Sequence, residues 1–253
     1  MRFAILGSGS RGNAVVVEAG GTRVLIDCGF TAAETERRLA RLGLAAEGLD
    51  AILLTHEHGD HVAGAGPLAR RHGLPVWCTP GTRLGAGLEG VEVCTVVPEE
   101  TFAVGALQVR SYVVPHDGRE TVQYLLGDGA ATLGIVTDAG SVTPHMEAVL
   151  DGCDGLVLEC NHDERLLAEG PYPPPLKRRI RSDWGHLSNR QAAALLARLD
   201  HHRLRHVVAA HLSETNNTPG HARAALAAVL GCRPEEVDVA EQARGLGWRA
   251  LAP

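Results

Sequence analysis

The stretch Thr55-His56-Glu57-His58-Gly59-Asp60-His61 constrains this chain more than any other, because it follows directly on the apolar run Ala51-Ile52-Leu53-Leu54. A short apolar run bounded by polar residues reads as a buried strand, and side chains placed where such a strand ends are held on a rigid element. In extended chain His56 and His58 project to one side, and Gly59 permits a turn that brings Asp60 and His61 round to a second position. Imidazoles mixed with a carboxylate suit Zn, Mn or Fe. The cluster therefore predicts a metal centre built at the end of a strand.

The rest of the chain supplies a frame for such a centre. Strand-type runs are expected at Phe3–Leu6, Ala14–Glu18, Arg23–Asp27, Ala51–Thr55, Val76–Thr79 and Val91–Val97, with helical periodicity at Ala32–Leu42 and Val62–His72. The second half repeats the outline without repeating the sequence. Its strands are expected at Val109–Val114, Thr121–Gly127, Thr132–Thr137, Gly155–Cys160 and Arg205–Ala210, and its helices at Asn189–Leu199 and Pro219–Leu230. Two halves of this kind predict two packed sheets with helices outside. A length of 253 residues with 45% hydrophobic content is enough for one core, so residues 1–253 are read as a single domain.

Composition narrows the function classes. The net charge of -6 excludes a protein that coats DNA through bulk charge, leaving local basic strips as phosphate contacts. Such a strip stands at Lys177-Arg178-Arg179-Ile180-Arg181, after the proline-rich Gly170–Leu176, in what reads as a surface excursion. Six cysteines are scattered without a CxxC pair, as buried thiols are in reducing compartments. The first apolar run is too short for a signal peptide, and no window reaches the roughly 18 to 20 apolar residues of a membrane span. A cytoplasmic protein with no membrane partner is the expectation.

His56-x-His58-x-Asp60-His61 is the signature of the metallo-β-lactamase superfamily, and the chain resembles that superfamily in the order of its other candidates. Asp27 closes Arg23-Val-Leu-Ile, His116 follows Val113-Val-Pro, Asp138 ends Gly134-Ile-Val-Thr, and His211 ends Val207-Val-Ala-Ala. The resemblance implies an α/β fold, a four-layer αββα sandwich of two mixed sheets packed face to face. It further implies two divalent metal ions, Mn2+ or Zn2+. His56, His58 and His116 would bind one, Asp60, His61 and His211 the other, with Asp138 bridging and Asp27 supporting a ligand from behind. His61 and Asp138 stand where classical β-lactamases carry Arg or Cys, which disfavours β-lactam hydrolysis. His58 stands where flavodiiron proteins carry a glutamate.

Other motifs narrow the resemblance to one branch. Gly185-His186-Leu187-Ser188 resembles the GHLS segment of tRNA-maturing and phosphodiesterase members, where the histidine lies beside the scissile phosphate. His186 is thus a general-acid candidate, with Glu159 as the residue that orients it and Asp60 as a further catalytic residue. Gly7-Ser8-Gly9-Ser10-Arg11-Gly12-Asn13, Glu159-Cys-Asn161-His162-Asp163 and His211-Leu-Ser213-Glu-Thr-Asn216-Asn217 together resemble the bacterial YycJ/WalJ group. That resemblance runs from residue 1 to about residue 220 and implies a 5′-to-3′ exonuclease acting on double-stranded DNA, with a role in mismatch repair. Ser8, Ser10, Asn13, Asn161, His162, Ser213, Asn216, Asn217, Lys177, Arg178, Arg179 and Arg181 are its candidate DNA contacts. The same centre would also serve a cyclic phosphodiesterase or an RNA-processing nuclease.

Overall fold

The structure, a computed structural model, describes residues 1–251. The single-domain reading of residues 1–253 includes Ala252 and Pro253, which lie outside the described residues. In chain order the strands are β1 (Arg2–Gly7), β2 (Ala14–Ala19), β3 (Thr22–Ile26), β4 (Ala51–Leu53), β5 (Val76–Cys78), β6 (Val93–Thr95) and β7 (Thr101–Val104). They continue as β8 (Leu107–Val113), β9 (Val122–Gly127), β10 (Thr132–Val136), β11 (Gly155–Glu159), β12 (His206–Ala210), β13 (Asp238–Val239) and β14 (Leu246–Ala250). Among the described residues they form two seven-stranded sheets, ordered β14-β1-β2-β3-β4-β5-β6 and β13-β12-β11-β10-β9-β8-β7.

Alternation of side chains along the strands builds the layers. On β1, Phe3 and Ile5 join Val15, Val17, Val24, Ile26 and Leu53 in a core shared with Val109, Tyr124, Leu126, Ile135 and Val157 of the other sheet. Ala4 and Leu6 face the opposite way, with Val16, Leu25 and Ile52 against Leu39 and Leu68 of the helices Ala32–Arg41 and Ala65–His72. The second sheet repeats this on its outer face. Leu156, Leu158, Val207 and Ala209 pack on Leu195, Leu196 and Leu226 of the helices Asn189–Leu196 and Pro219–Leu230. Strands apolar on both faces demand cover on both faces, and the αββα sandwich expected from the sequence is what results.

Pairing direction decides where the strands discharge. β3 to β6 run parallel, and β2 lies antiparallel between β1 and β3, so β1 shares their direction. In the other sheet β10 to β13 run parallel and β8 agrees with them through the antiparallel β9. The carboxyl ends of β1, β3, β4, β8, β10, β11 and β12 therefore open on one rim, the edge at which α/β sheets bind ligands. Cross-sheet hydrogen bonds fasten that rim. The Tyr124 hydroxyl donates to the Leu54 carbonyl at 2.7 Å, the Val122 N–H to the Thr55 carbonyl at 3.0 Å and the His211 N–H to Ser8 Oγ at 2.8 Å.

Three local differences from expectation have clear causes. The helix expected over Val62–His72 is two helices, Gly59–Val62 and Ala65–His72, interrupted at Gly64. A Cβ on Gly64 would overlap the Phe30 carbonyl oxygen, so glycine there lets the two backbones touch. The excursion at 170–181 carries a helix, Pro174–Arg181, because proline in a first turn forfeits no hydrogen bond. The strand β14, not foreseen, returns from the C-terminal end to pair antiparallel with β1. No helix among the described residues is long and apolar enough to cross a membrane.

Candidate metal centre

Asp27, His56, His58, Asp60, His61, His116, Asp138, Glu159, His186 and His211 each sit on the rim just described, at or after the end of β3, β4, β8, β10, β11 or β12. The loop that carries Asp60 and His61 is docked onto the loop after β3. Cys28 N–H donates to the His61 carbonyl at 2.7 Å, Gly64 N–H to the Cys28 carbonyl at 2.8 Å and Asn13 N–H to the Asp60 carbonyl at 2.8 Å. Gly29 makes this docking possible, since a Cβ there would overlap the Asp60 carbonyl oxygen. Asp27 and His211 both adopt positive φ, 58° and 52°. Non-glycine residues take that conformation only where the surroundings hold them in it, and here it turns both side chains off their strands toward the centre.

The side chains converge as ligand sets. Ligand-type atoms of His56, His58 and His116 lie within 4.8 Å of one another, as do those of Asp60, His61 and His211, and those of His56, His61 and Asp138. Asp138 is the hub. Its Oδ1 stands 3.0 Å from His211 Nδ1 and 3.1 Å from His186 Nδ1, and its Oδ2 stands 2.9 Å from His61 Nε2.

Partners on the far side of each ring fix which nitrogen faces inward. His61 Nδ1 donates to Asp27 Oδ2 at 2.7 Å, which aims Nε2 at Asp138. Thr55 Oγ1 donates to the Asp27 carboxylate and accepts from His56 Nδ1 at 3.0 Å, which leaves His56 Nε2 as the inward lone pair. His116 Nδ1 donates to the Gly185 carbonyl at 2.9 Å, and its Nε2 meets His58 Nδ1 at 3.2 Å. Backing of this kind sets the tautomer of metal-binding imidazoles. Asp27 stands behind His61, and Thr55 joins it there as a residue that sequence reasoning passed over. Its only signal was its position immediately ahead of His56.

The atoms left without partners test whether cations fit. His56 Nε2, Asp138 Oδ2 and His211 Nε2 are buried with no hydrogen bond. The 2.9 Å approach of Asp138 Oδ2 to His61 Nε2 and the 3.5 Å approach of His211 Nε2 to Asp60 Oδ2 are contacts out of line for one. Unsatisfied donors and acceptors at this depth are costly, and divalent cations in an N/O cage would satisfy all three. The electrostatics agree. Burial pushes His56 well below the usual imidazole range, as a neutral ligand requires. Burial also opposes charge on His61 and His211, yet the Asp138 carboxylate outweighs it and raises both. Burial likewise opposes charge on Asp138, but the His211 and His61 rings hold it well below the usual carboxylate range. The carboxylates around these rings favour positive charge at the centre.

His186 stands at the mouth, where its ligand-type atom falls within 4.8 Å of those of Asp138, Glu159 and His211 as a fourth such group. Its Nδ1 meets Glu159 Oε1 at 2.7 Å, and Glu159 is fixed in turn by the Ala139 N–H at 2.8 Å. Burial lowers the affinity of His186 for a proton, but Glu159 and Asp138 outweigh it and raise its pKa to about 9. Nδ1 being engaged, Nε2 is the free nitrogen. The cavity before it, about 390 Å³, is lined by Ser10, Asp60, Asp138, Asn161, His186, His211 and Ser213, and by Tyr172, Leu176 and Arg179 from the segment 172–179.

Of the twelve expected DNA contacts, Ser10, Asn161, Ser213 and Arg179 line this cavity. Ser8, Asn13, His162, Asn216 and Asn217 are buried and do not line it. Asn13 Nδ2 lies 3.1 Å from His61 Nε2, Asn216 bonds Ser213 Oγ, and Asn217 Nδ2 donates to the Cys160 carbonyl at 2.7 Å. Sequence shows that a residue is polar but not which way it points. Lys177 donates to the Ala168 carbonyl, Arg181 lies over a smaller pocket beside His162, and Arg178 is exposed. Asp117 was missed. It stands 3.5 Å from both His58 Nε2 and His116 Nε2, and its Oδ2 accepts from Arg179 Nε at 2.7 Å.

Comparison with known proteins agrees with this geometry. The Beta-lactamase superfamily domain matches residues 22–211. Exodeoxyribonuclease YycJ of Bacillus anthracis is 35% identical over 237 residues, covering 91% of this chain and 89% of that protein. Exodeoxyribonuclease WalJ of Streptococcus pneumoniae is 33% identical over 225 residues, covering 85% and 83%. The crystal structure of the metallo-beta-lactamase fold protein YhfI from Bacillus subtilis superposes with a TM-score of 0.74 at 18% identity, covering 98% of this chain and 99% of that one. That last likeness concerns the fold alone.

Replacing Asp27 by Asn removes the charge behind His61 while keeping the shape. Metal affinity should fall about 10- to 100-fold, read by competition with a chromophoric chelator; unchanged affinity would reduce Asp27 to a turn residue.

Proposed function

The chain belongs to the β-lactamase superfamily, in the group of the YycJ and WalJ exodeoxyribonucleases, and on that premise we propose that it is a metal-dependent exodeoxyribonuclease. The observation that carries the reading is the convergence of candidate ligand sets on one cavity, with a further histidine, His186, held by Glu159 at its mouth. The resemblance adds a 5′-to-3′ direction on double-stranded DNA and a place in mismatch repair. We read the described chain as one domain, since strands of both sheets build the one rim. Six unpaired cysteines fit a reducing compartment, and on that ground we assign it to the cytoplasm.

In this reading His56, His58 and His116 would hold one divalent cation and Asp60, His61 and His211 a second, with Asp138 as the carboxylate shared between them. Mn2+ and Zn2+ each accept this mixture of nitrogen and oxygen donors. When bound, two cations neutralise charge that builds on the phosphate oxygens and make water a nucleophile near neutral pH. The remaining work falls to the protein. Asp138 and Asp60 fix the charge balance on the inner side, His186 Nε2 gives a proton to the departing oxygen, and Glu159 holds the ring in line for it. Ser10, Asn161, Ser213 and Arg179 flank the strand as it enters.

Replacing His186 by Ala should lower kcat about 10²- to 10⁴-fold and leave bound metal unchanged by elemental analysis; loss of metal would make His186 a ligand instead. The assay offers Mn2+- or Zn2+-loaded protein end-labelled duplex DNA, single-stranded DNA, RNA and a cyclic phosphodiester. Duplex DNA should be shortened from the 5′ end, and a chelator should stop the reaction. Preference for the cyclic ester or for RNA would move the chain to a different substrate class. Changing Lys177, Arg178, Arg179 and Arg181 together to Gln should weaken DNA binding and flatten its dependence on salt. An unchanged slope of log affinity against log salt would free this helix from any phosphate contact.

A further inference from the structure

The chain has nine aromatic residues apart from histidine, three each of Phe, Tyr and Trp. Phe3, Phe30, Tyr112 and Tyr124 are buried. Trp77 stacks on Phe102 with ring centroids 4.6 Å apart, and Trp248 is covered by Arg2 and donates to the Leu42 carbonyl. Tyr172 lines the cavity. Trp184 alone among these is exposed, at 60%.

The place of Trp184 makes that exposure informative. It lies two residues before His186, so the two Cα atoms are at most about 7.6 Å apart, a distance of one or two nucleotide steps along a strand. The turn that carries it is pinned from every side. Gly185 N–H donates to the Ser182 carbonyl at 2.9 Å and His186 N–H to the Ile180 carbonyl at 3.0 Å. Ser141 Oγ donates to the Asp183 carbonyl at 3.2 Å, and His116 Nδ1 to the Gly185 carbonyl at 2.9 Å. Gly140 and Gly185 leave no room for a Cβ against the backbones they touch, Asp183 and Gly185 for the first and Arg179 and Ile180 for the second. The backbone is fixed to the metal-ligand histidine His116 on one side and to the basic helix Pro174–Arg181 on the other, while the indole stands in solvent.

We propose that Trp184 is a stacking platform for a nucleobase of the strand being cleaved, next to the phosphate that faces His186. The inference rests on the nuclease reading and deepens it. Every base offers a π face, so a rigid exposed indole grips a strand without selecting its sequence. An exonuclease that degrades any sequence needs a contact of that kind. The terminal nucleotide must leave its own stack before its phosphate can enter a closed rim, and the indole replaces the neighbour it loses.

The test uses metal-loaded full chain and two duplexes, one with an unpaired base-bearing 5′ end and one with abasic nucleotides there. Wild type should prefer the base-bearing end in kcat/KM by about 5- to 100-fold, Trp184→Ala should lose that preference, and Trp184→Phe should recover most of it. Bound metal and Tm should match wild type in both variants. Equal losses on both duplexes, or none on either, would overturn the proposal, as would an equal loss in the Phe variant. Oligonucleotide quenching of tryptophan emission gives a second readout that needs no cleavage. It should be present in wild type and lost in Trp184→Phe. Quenching lost in that way without DNA cleavage would sink the nuclease reading and keep the platform; absence of Trp184-dependent quenching would sink the platform.

Discussion

The carboxylate of Asp138 is the interaction on which the centre depends. It is buried and lies against His61 and His211, both buried, and against the half-buried His186 at once. A buried anion survives only beside positive charge or a metal. The carboxylates beside His61, His211 and His186 raise the proton affinity of these rings against the opposing effect of burial, and so favour positive charge on them. Cations would take over this role for His61 and His211 and release their inner nitrogens as ligands. His186 differs because Glu159 lies closer to it, at 2.7 Å, than to His211, at 3.4 Å.

What holds Asp138 in that place is the agreement of two sheets in strand direction. Each sheet alone brings only part of the set to its edge: Asp27, His56, His58, Asp60 and His61 from the first, and His116, Asp138, Glu159, His186 and His211 from the second. Neither half encloses an ion. The apolar layer between them sets the spacing, and bonds such as Tyr124 to Leu54 and His211 to Ser8 set the relative height of the two edges. Strained φ values at Asp27 and His211 fall one on each side of the seam. Such strain is affordable only because the surrounding strands are buried on both faces and do not yield.

The strands were legible in the sequence because doubly buried strands are short apolar runs with abrupt polar ends, and those ends are the rim. Asp27, His116, Asp138 and His211 could therefore be assigned to one edge although they are far apart along the chain. Residues in the loops were another matter. Ser8, Asn13, Asn216 and Asn217 were read as facing a substrate, and all four are turned inward to hold backbone or a ligand loop. A small polar side chain carries no sign of its direction, since either water or a buried carbonyl would suit it. Thr55 and Asp117 were passed over for the converse reason, being ordinary residues whose partners only folding supplies.

The distribution of charge completes the argument about what such a rim can admit. A net charge of -6 repels a polyanion at long range, so attraction must be local and must lie where the strand enters. The helix Pro174–Arg181 supplies it, but unevenly: Arg179 reaches the cavity while bound to Asp117, itself 3.5 Å from His58 and His116. An arginine tied to a carboxylate at the cage wall contributes orientation more than attraction, since much of its charge is already answered. Grip by general charge is thus limited at this site, and the stacking proposed for Trp184 would add a contact to the flat faces of bases. Those features are common to every sequence of DNA, which is the selectivity an exonuclease that advances along any strand has to have.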